Sequence, residues 1–463
     1  MQSIYHFDDT IAAVSTPVGQ GGIGIVRISG PAALEIADRI FLPLNGKRPG
    51  AARSHSLLYG HAVNPSDGGT IDEVLVSVMR APRSYTREDV AEFNCHGGMA
   101  PVRALLELVL AQGARLAEPG EFTKRAFLNG RISLAQAEAV MDLISARTEE
   151  SLRIAVEQVK GRLSEELSSL RESLVDLCAL AEAHIDFPEE EIGATTSERM
   201  REELLKIRRK LENLSGTFRE ARFFREGLAV AIVGKPNVGK SSLLNALLKK
   251  DKAIVTEFPG TTRDLIEDYL DIRGLPVRIL DTAGIRDTAE SIEKEGVRRS
   301  IDAMGKADFI IAVFDGSGPA EEEDVVIMER IRGKNAVIAI NKSDLPGKLP
   351  LDNIAAWGGQ YIHISALTGE GLGELKSAVF ESAMGDRSRE RDGAVVSNIR
   401  HKLALDRACA AVGKASDVLA GGLPLEIFSI ELRDAMDSIG EITGAVTTEE
   451  ILKRIFSDFC IGK

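Results

Sequence analysis

The 463-residue chain predicts a multi-domain protein: an α+β segment first, an all-α segment next, and an α/β segment inserted into the helical one. Three observations carry that prediction. Residues 1 to about 118 mix short apolar runs with Gly and Pro. From about 132, leucines recur at intervals of three and four, the period of an amphipathic helix. Residues 228–248 break that period with an apolar run, a glycine-rich loop and a short helix, and helical patterns resume from about 395. This length accommodates two to four domains.

In the first segment, 1–118, residues 23–28 and 74–79 alternate as strands do, and 31–40 and 101–111 form helices opened by Pro31 and Pro101. In the second, 119–223, Leu152, Val156, Val159, Leu163, Leu167, Leu170, Leu174 and Leu177 make one stripe of a single long helix. After a break at 187–193, a second helix carries Leu204, Ile207, Leu211, Leu214 and Phe218. The α/β segment occupies 224–382. Residues 385–393 form a charged linker, and 383–463 returns to helix with Leu425, Ile427, Ile430, Leu432, Ile439 and Ile442. Leucine stripes bury against one another, so helices before and after the α/β segment should share a core, with that segment's two ends close together.

Inside the α/β segment, Gly234, Gly239, Lys240 and Ser241 complete a G-x-x-x-x-G-K-S loop between an apolar strand, 228–233, and a helix, 242–248. Glycines let the backbone wrap a phosphate, and the helix N-terminus adds free N–H groups and a positive dipole end. Lys240 reaches the terminal phosphates and the Ser241 hydroxyl meets Mg²⁺. Asn237, Val238 and Ser242 complete this contact surface. Asp281, Thr282, Ala283 and Gly284 form a D-x-x-G loop after the strand 277–280, suited to a metal-bound water and a γ-phosphate. Asn341, Lys342 and Asp344 follow the strand 336–340. The Asp344 carboxylate matches the N1–H and amino group of guanine, a donor pair that adenine lacks. Ser365 and Ala366, after 361–364, offer backbone to the guanine carbonyl. Four motifs in order, each behind a strand, predict a Ras-like GTP-binding domain.

Two details narrow its chemistry. Ile285 stands where Ras-like proteins carry a water-positioning Gln, and an alkyl chain cannot orient water. Asn237 in the phosphate loop, with the carbonyls of 255–264, suits a monovalent cation that neutralises developing charge; the plainer alternative is that Asn237 only caps the loop. Thr262 adds a second hydroxyl for Mg²⁺.

Composition bounds the rest. Acidic residues outnumber basic ones by 70 to 57, a net charge of −13, which argues against broad non-specific binding of nucleic acid while leaving room for a local basic patch. Cys95, Cys178, Cys409 and Cys460 lie far apart without a C-x-x-C pair, so neither a zinc site nor a disulfide framework is expected. No basic n-region precedes an apolar core and no run of 18 apolar residues occurs, so the expectation is a soluble cytoplasmic chain with no membrane contact.

The blocks 9–30, 84–92, 95–98 (Cys-His-Gly-Gly), 119–131 and the terminal Cys-Ile-Gly-Lys of 460–463, together with the nucleotide motifs, resemble the MnmE (TrmE) family of bacterial tRNA modification GTPases along essentially the whole chain. The resemblance implies an N-terminal domain that binds 5-formyl-tetrahydrofolate or a related one-carbon folate and forms a homodimer. It further implies GTP hydrolysis stimulated by K⁺, and an FAD-dependent partner of the MnmG type in a heterotetramer or larger complex. The joint product would be an aminomethyl-type (carboxymethylaminomethyl) group at C5 of a tRNA wobble uridine. Family positions map the folate pocket onto Arg27, Glu92, Arg131 and Lys463, with Arg131 where the family often has Lys. They map K⁺ ligands onto Asn237, Thr256, Phe258 and Thr261, and Mg²⁺ onto Ser241 and Thr262. They place a water-positioning carboxylate at Glu293, which the sequence alone does not separate from Glu290 or Glu295, and a modification role at Cys460. The competing reading is a GTP-dependent RNA or ribosome assembly factor without modification chemistry. Such factors usually end in a basic RNA-binding domain, whereas this chain ends in an amphipathic helix.

Overall fold

The computed structural model describes residues 8–17, 19–44, 46–186, 194–250, 269–280, 302–349, 359–385 and 393–463. The N-terminal strands are β1 (Ile11–Val14), β2 (Ile23–Ser29), β3 (Phe41–Pro43), β4 (Ser56–Val63), β5 (Thr70–Met79), β6 (Val90–His96) and β7 (Arg115–Leu116), in the order β3-β4-β5-β6-β2-β1-β7. Helices α1 (Ala33–Ile40) and α2 (Met99–Ala111) pack on the sheet, where Ile36, Ile40, Leu105 and Val109 meet Val26, Ile28, Val76 and Phe93. Both helices start later or earlier than their prolines suggest: α1 begins two residues after Pro31, and Pro101 is the third residue of α2. The opposite side chains of β3, β4 and β5 stay exposed, among them Leu42, Leu57, Tyr59 and Leu75. Helix α3 (Glu121–Leu128) joins this domain by its charges. The fully buried Arg125 pairs with Asp9 at 2.7 Å, Glu88 at 3.0 Å and Glu121 at 3.0 Å.

The long stripe at 152–177 is not one helix. Helix α4 (Leu134–Ser145) is closed at its start by a capping box of Ser133 and Gln136, and Thr148 caps α5 (Glu149–Val159). Chain direction then breaks at Lys160 and Gly161 before α6 (Arg162–Asp186). The two apolar faces therefore diverge. Leu152 is exposed, while Ile154 turns into the α/β core beside Phe223 and Phe224. Helix α7 (Ala194–Gly216) ends before Phe218, which opens α8 (Phe218–Glu226).

The α/β domain is a six-stranded sheet of β8 (Leu228–Val233), β9 (Tyr269–Ile272), β10 (Leu275–Leu280), β11 (Phe309–Asp315), β12 (Ala336–Asn341) and β13 (Tyr361–His363), in the order β13-β12-β11-β8-β10-β9. Every pairing is parallel except β9 with β10. Its helices among the described residues include α9 (Lys240–Lys250), α10 (Glu322–Ile331) and α11 (Leu372–Met384). Strand β8 lies between β10 and β11, so the chain turns to opposite sides at its carboxyl end, which opens a crevice there.

After the insertion come α12 (Ile399–Ala420), α13 (Leu425–Thr443) and α14 (Glu449–Ser457). Helices α6 and α7 share one core with α12 and α13, built from Leu167, Leu174, Leu204 and Leu211 against Leu405, Val412, Phe428 and Leu432. Each such leucine contributes roughly 1.5–3 kcal/mol over an exposed one. Ile427 and Ile430, expected inside, are exposed; Phe428 and Leu432 take the buried side of the same helix. At the junction, Glu138 on α4 holds His401 at 2.6 Å, Arg400 at 2.7 Å and the Asn398 amide at 2.9 Å.

Burial alone would raise the pKa of Glu138, but the charge and hydrogen bonds of His401 and Arg400 outweigh it and hold the carboxyl at about 2. A carboxyl depressed in the folded state stabilises above its unfolded pKa, near 4.5, and loses that contribution as pH falls towards 2. Replacing Glu138 with Gln should therefore destabilise the helical domain by ~3 kcal/mol at pH 7, because it leaves buried partners unpaired. It should also flatten the loss of melting temperature between about pH 4.5 and 2. Calorimetry across that range checks both, and an unchanged acid limb would refute the assignment.

Candidate functional site

The phosphate loop leaves β8 and enters α9, as its motif requires. Val238 is buried beneath it, and Asn237 holds a left-handed backbone, φ +62°. Such a conformation is uncommon outside glycine, though Asn tolerates it best. Gly239 is required by space: a Cβ there would stand 2.2 Å from the Asn341 amide nitrogen. That amide donates to the Val238 carbonyl at 2.8 Å, and the Asn341 side-chain oxygen accepts from the Ala366 amide at 2.9 Å. One buried asparagine thus ties three of the four motifs together. Lys240 caps the loop, its Nζ donating to the carbonyls of Gly234 and Lys235 at 2.8 Å each. Burial pulls its pKa below that of an ordinary lysine, which favours an anion beside it.

The base-recognition loops form the neighbouring wall. Ser365 donates to an Asp344 carboxylate oxygen at 2.6 Å, leaving the second oxygen for a ligand. Lys342, also at positive φ (+66°), pairs with Asp315 at the end of β11 at 2.6 Å. Two members of this assembly escape a motif search. Lys235, inside the loop, pairs with Asp324 at 2.9 Å and Glu321 at 3.1 Å, both at the start of α10. These partners lie far from Lys235 in sequence, and no local motif marks them.

Lys240 opens α9, and Ser241 and Ser242 follow it. Thr256, Phe258, Thr261, Thr262, Asp281, Thr282, Ala283, Gly284, Ile285, Glu290, Glu293 and Glu295 lie outside the described residues. The Asn237 side chain is exposed on the loop. Its amide oxygen and the loop carbonyls are donors of the type a monovalent cation takes, and the Ser241 hydroxyl is of the type Mg²⁺ takes.

A second cluster forms on the N-terminal sheet. Arg27 and Glu92 face each other across β2 and β6 and pair at 2.7 Å, both largely buried. The chain terminus folds back onto them. Arg27 and Ser15 both donate to the Gly462 carbonyl at 3.3 Å, and the Phe122 amide donates to the Lys463 carbonyl at 3.2 Å. Gly462 needs to be glycine, since it sits at φ +95° with a would-be Cβ 2.2 Å from the Val14 carbonyl. Burial and the nearby Arg27 lower the Lys463 ammonium pKa. Cys460 is exposed at the rim, whereas Cys95 and Cys178 are buried. The tail is therefore docked and ordered by named contacts. Tyr85 and Phe122 wall the cleft: Arg27 lies 5.8 Å from the Tyr85 ring centre and 5.5 Å from that of Phe122, and Arg131 lies 4.8 Å from Tyr85. Sequence reasoning missed both aromatics, although Tyr85 lies within the block 84–92 and Phe122 within 119–131.

Donors, a half-free carboxylate, aromatic walls and a glycine cradle suit a flat heterocycle carrying amide-like N–H groups. Lys240 starts α9 beside the sheet of the α/β domain, whereas Cys460 lies in the tail docked on the N-terminal domain, so the nucleotide and tail clusters are two sites rather than one.

Residues 10–131 match the model of the GTP-binding protein TrmE N-terminus, and residues 134–460 that of the MnmE helical domain. The chain is 47% identical over 459 residues to the tRNA modification GTPase MnmE of Carboxydothermus hydrogenoformans, covering 98% of this chain and 100% of that one. It is 46% identical over 460 residues to the protein of the same description from Alkaliphilus oremlandii, covering 99% and 100%. Among solved structures, the G domain of the T. maritima FeoB iron transporter aligns over 34% of this chain and 98% of its own, at 28% identity and a TM-score of 0.26.

Asp344→Asn exchanges an acceptor pair for one acceptor and one donor. It should weaken GTP binding ~100-fold or more and shift preference towards xanthosine triphosphate, whose 2-carbonyl accepts the new N–H. Fluorescence titration with both nucleotides checks this; undiminished GTP affinity would remove Asp344 from base recognition.

Proposed function

Because this chain belongs to the MnmE (TrmE) family of tRNA modification GTPases, and so is a GTP hydrolase acting in tRNA modification, we propose that it couples K⁺-stimulated GTP hydrolysis to wobble-uridine chemistry in the Arg27–Glu92 cleft. An FAD-dependent MnmG-type partner takes part, and the group installed at C5 is of the aminomethyl (carboxymethylaminomethyl) type. The observation that carries the reading is the docked tail: the last four residues cross from the helical domain to the N-terminal sheet and bring Cys460 and Lys463 to the cleft.

Each role follows from chemistry on the page. Glu92 accepts hydrogen bonds from the amino and N–H groups of a folate pterin, while Arg27, Arg131 and Lys463 meet carboxylates. A one-carbon folate bound there would supply the carbon; the protein residues bind it, orient it and keep water out. In the nucleotide site Lys240 and the loop amides hold phosphates, and Ser241 with Thr262 would hold Mg²⁺. Asn237, Thr256, Phe258 and Thr261 would hold K⁺, whose charge answers the place vacated by Ile285, and Glu293 would orient water. A homodimer is supported by the open sheet face. The row Arg27–Glu92–Ser77–Leu57 runs across four strands from the cleft to exposed apolar side chains, beside the row Ile25–Asn94–Leu75–Tyr59. A second copy laid on Leu57, Tyr59 and Leu75 would cover that surface and the mouth of the cleft.

GTP turnover should rise steeply in KCl over NaCl, and Asn237→Ala should abolish the difference while sparing nucleotide binding. Equal rates in both salts would sink the potassium reading. Cys460→Ser should keep GTP hydrolysis but lose wobble-uridine modification, measured by mass spectrometry of tRNA nucleosides from complemented cells. Normal modification would remove the thiol, and a monomer in sedimentation of the same preparations would remove the homodimer.

A further inference from the structure

We propose that the segment 80–89, beside Arg131, is a docking site for the phosphodiester backbone of the tRNA substrate, at the outer rim of the Arg27–Glu92 cleft. The inference rests on the reading that this cleft hosts the chemistry on tRNA.

The segment sorts its charges. Glu88 points inward to Arg125 at 3.0 Å and to the Ser29 hydroxyl at 2.6 Å. Asp89 accepts from the Ala81 amide at 2.9 Å. The arginines point the other way: Arg83, Arg87 and Arg131 are exposed. Among the described residues none of Arg80, Arg83, Arg87 and Arg131 has a carboxylate partner. Arg80 donates to the Ala52 carbonyl at 3.1 Å, Arg87 to the Asn129 carbonyl at 2.9 Å and Arg131 to the Tyr85 carbonyl at 3.0 Å. Backbone carbonyls fix three of these guanidiniums without neutralising them. In a chain of net charge −13, a cluster of uncompensated arginines is a local positive field waiting for an anion.

The backbone adds an independent sign. Arg87 sits at φ +62°, where Gly or Asn would be at ease and a long side chain is not. Asn129 secures the turn, donating to the Thr86 carbonyl at 2.6 Å. Non-glycine residues at positive φ among the described residues are His55, Arg87, Asn237, Arg273 and Lys342, and two of them belong to the nucleotide site. Strain of this kind collects where a side chain is needed in one place. Arg131 stacks on Tyr85, a wall of the cleft, and Arg87 bonds Asn129 two residues before it, so a strand anchored on Arg83 and Arg87 lies beside the cleft. Arginine forks suit phosphate oxygens, and such contacts position RNA without reading its sequence.

The test is fluorescence anisotropy of an unmodified tRNA transcript titrated with the full-length chain at several KCl concentrations. The double substitution Arg83→Gln with Arg87→Gln should weaken binding ~10-fold or more and reduce the slope of log K against log salt by roughly one to two. Arg83→Lys with Arg87→Lys should restore the slope, since the charge remains. Equal losses in the Lys and Gln variants, or an unchanged slope in the Gln variant, would overturn the proposal. Normal RNA binding with weakened binding of a polyglutamylated folate would reassign the patch to the folate tail and overturn it too. If the Cys460→Ser experiment succeeds while this slope does not move, only the docking site fails.

Discussion

A single buried carboxylate holds the architecture together. Glu138 belongs to the chain before the nucleotide domain, and its partners Asn398, Arg400 and His401 belong to the chain after it. The neighbouring contacts repeat the stitch, since Gln158 reaches the Val395 carbonyl and Ser397, and the Val396 amide reaches Thr217. These bonds bring the two ends of the insertion side by side, so the α/β domain hangs from the helical domain on two adjacent strands of chain. An ion pair this deep is costly to assemble and gains little over an apolar contact of the same shape. Its value here lies in specificity, because only one docking of α4 on α12 brings all four groups together.

Helix α4 and the adjoining α5 also link the nucleotide domain to the helix that carries the tail. Asp142, one turn along α4, pairs with Arg225 at the end of α8, directly ahead of β8 and the phosphate loop. Ser151 donates to the Phe224 carbonyl, Ile154 enters the nucleotide-domain core, and Arg147 stacks 3.5 Å from the centre of Tyr269 on β9. On its other side, Leu134 and Ala137 pack against Leu452, Phe456 and Phe459, whose helix carries the terminal tail. The nucleotide domain and the tail helix are thus joined through the α4–α5 segment.

Much of this protein was determined by sequence alone. Strand β8 and the start of α9 bracket the phosphate loop as its glycines and apolar run demand, and β10, β12 and β13 end where the other motifs begin. These are local signals, because a phosphate loop needs its glycines and lysine within eight residues. Tertiary structure decided the rest. The 152–177 stripe is continuous in sequence, yet Gly161 lets it split between two cores, and no local pattern says which core Ile154 will choose. Ile427 and Phe428 are both apolar neighbours on α13, and its packing against α6 and α12 decides that Phe428 is buried. The link from Lys235 to Asp324, the pairs around Glu138 and the return of Gly462 to Arg27 each join residues tens to hundreds of positions apart. Side-chain periodicity encodes which face of an element is apolar, but burial and charge pairing depend on what the fold places opposite that face, and that is a property of the whole chain.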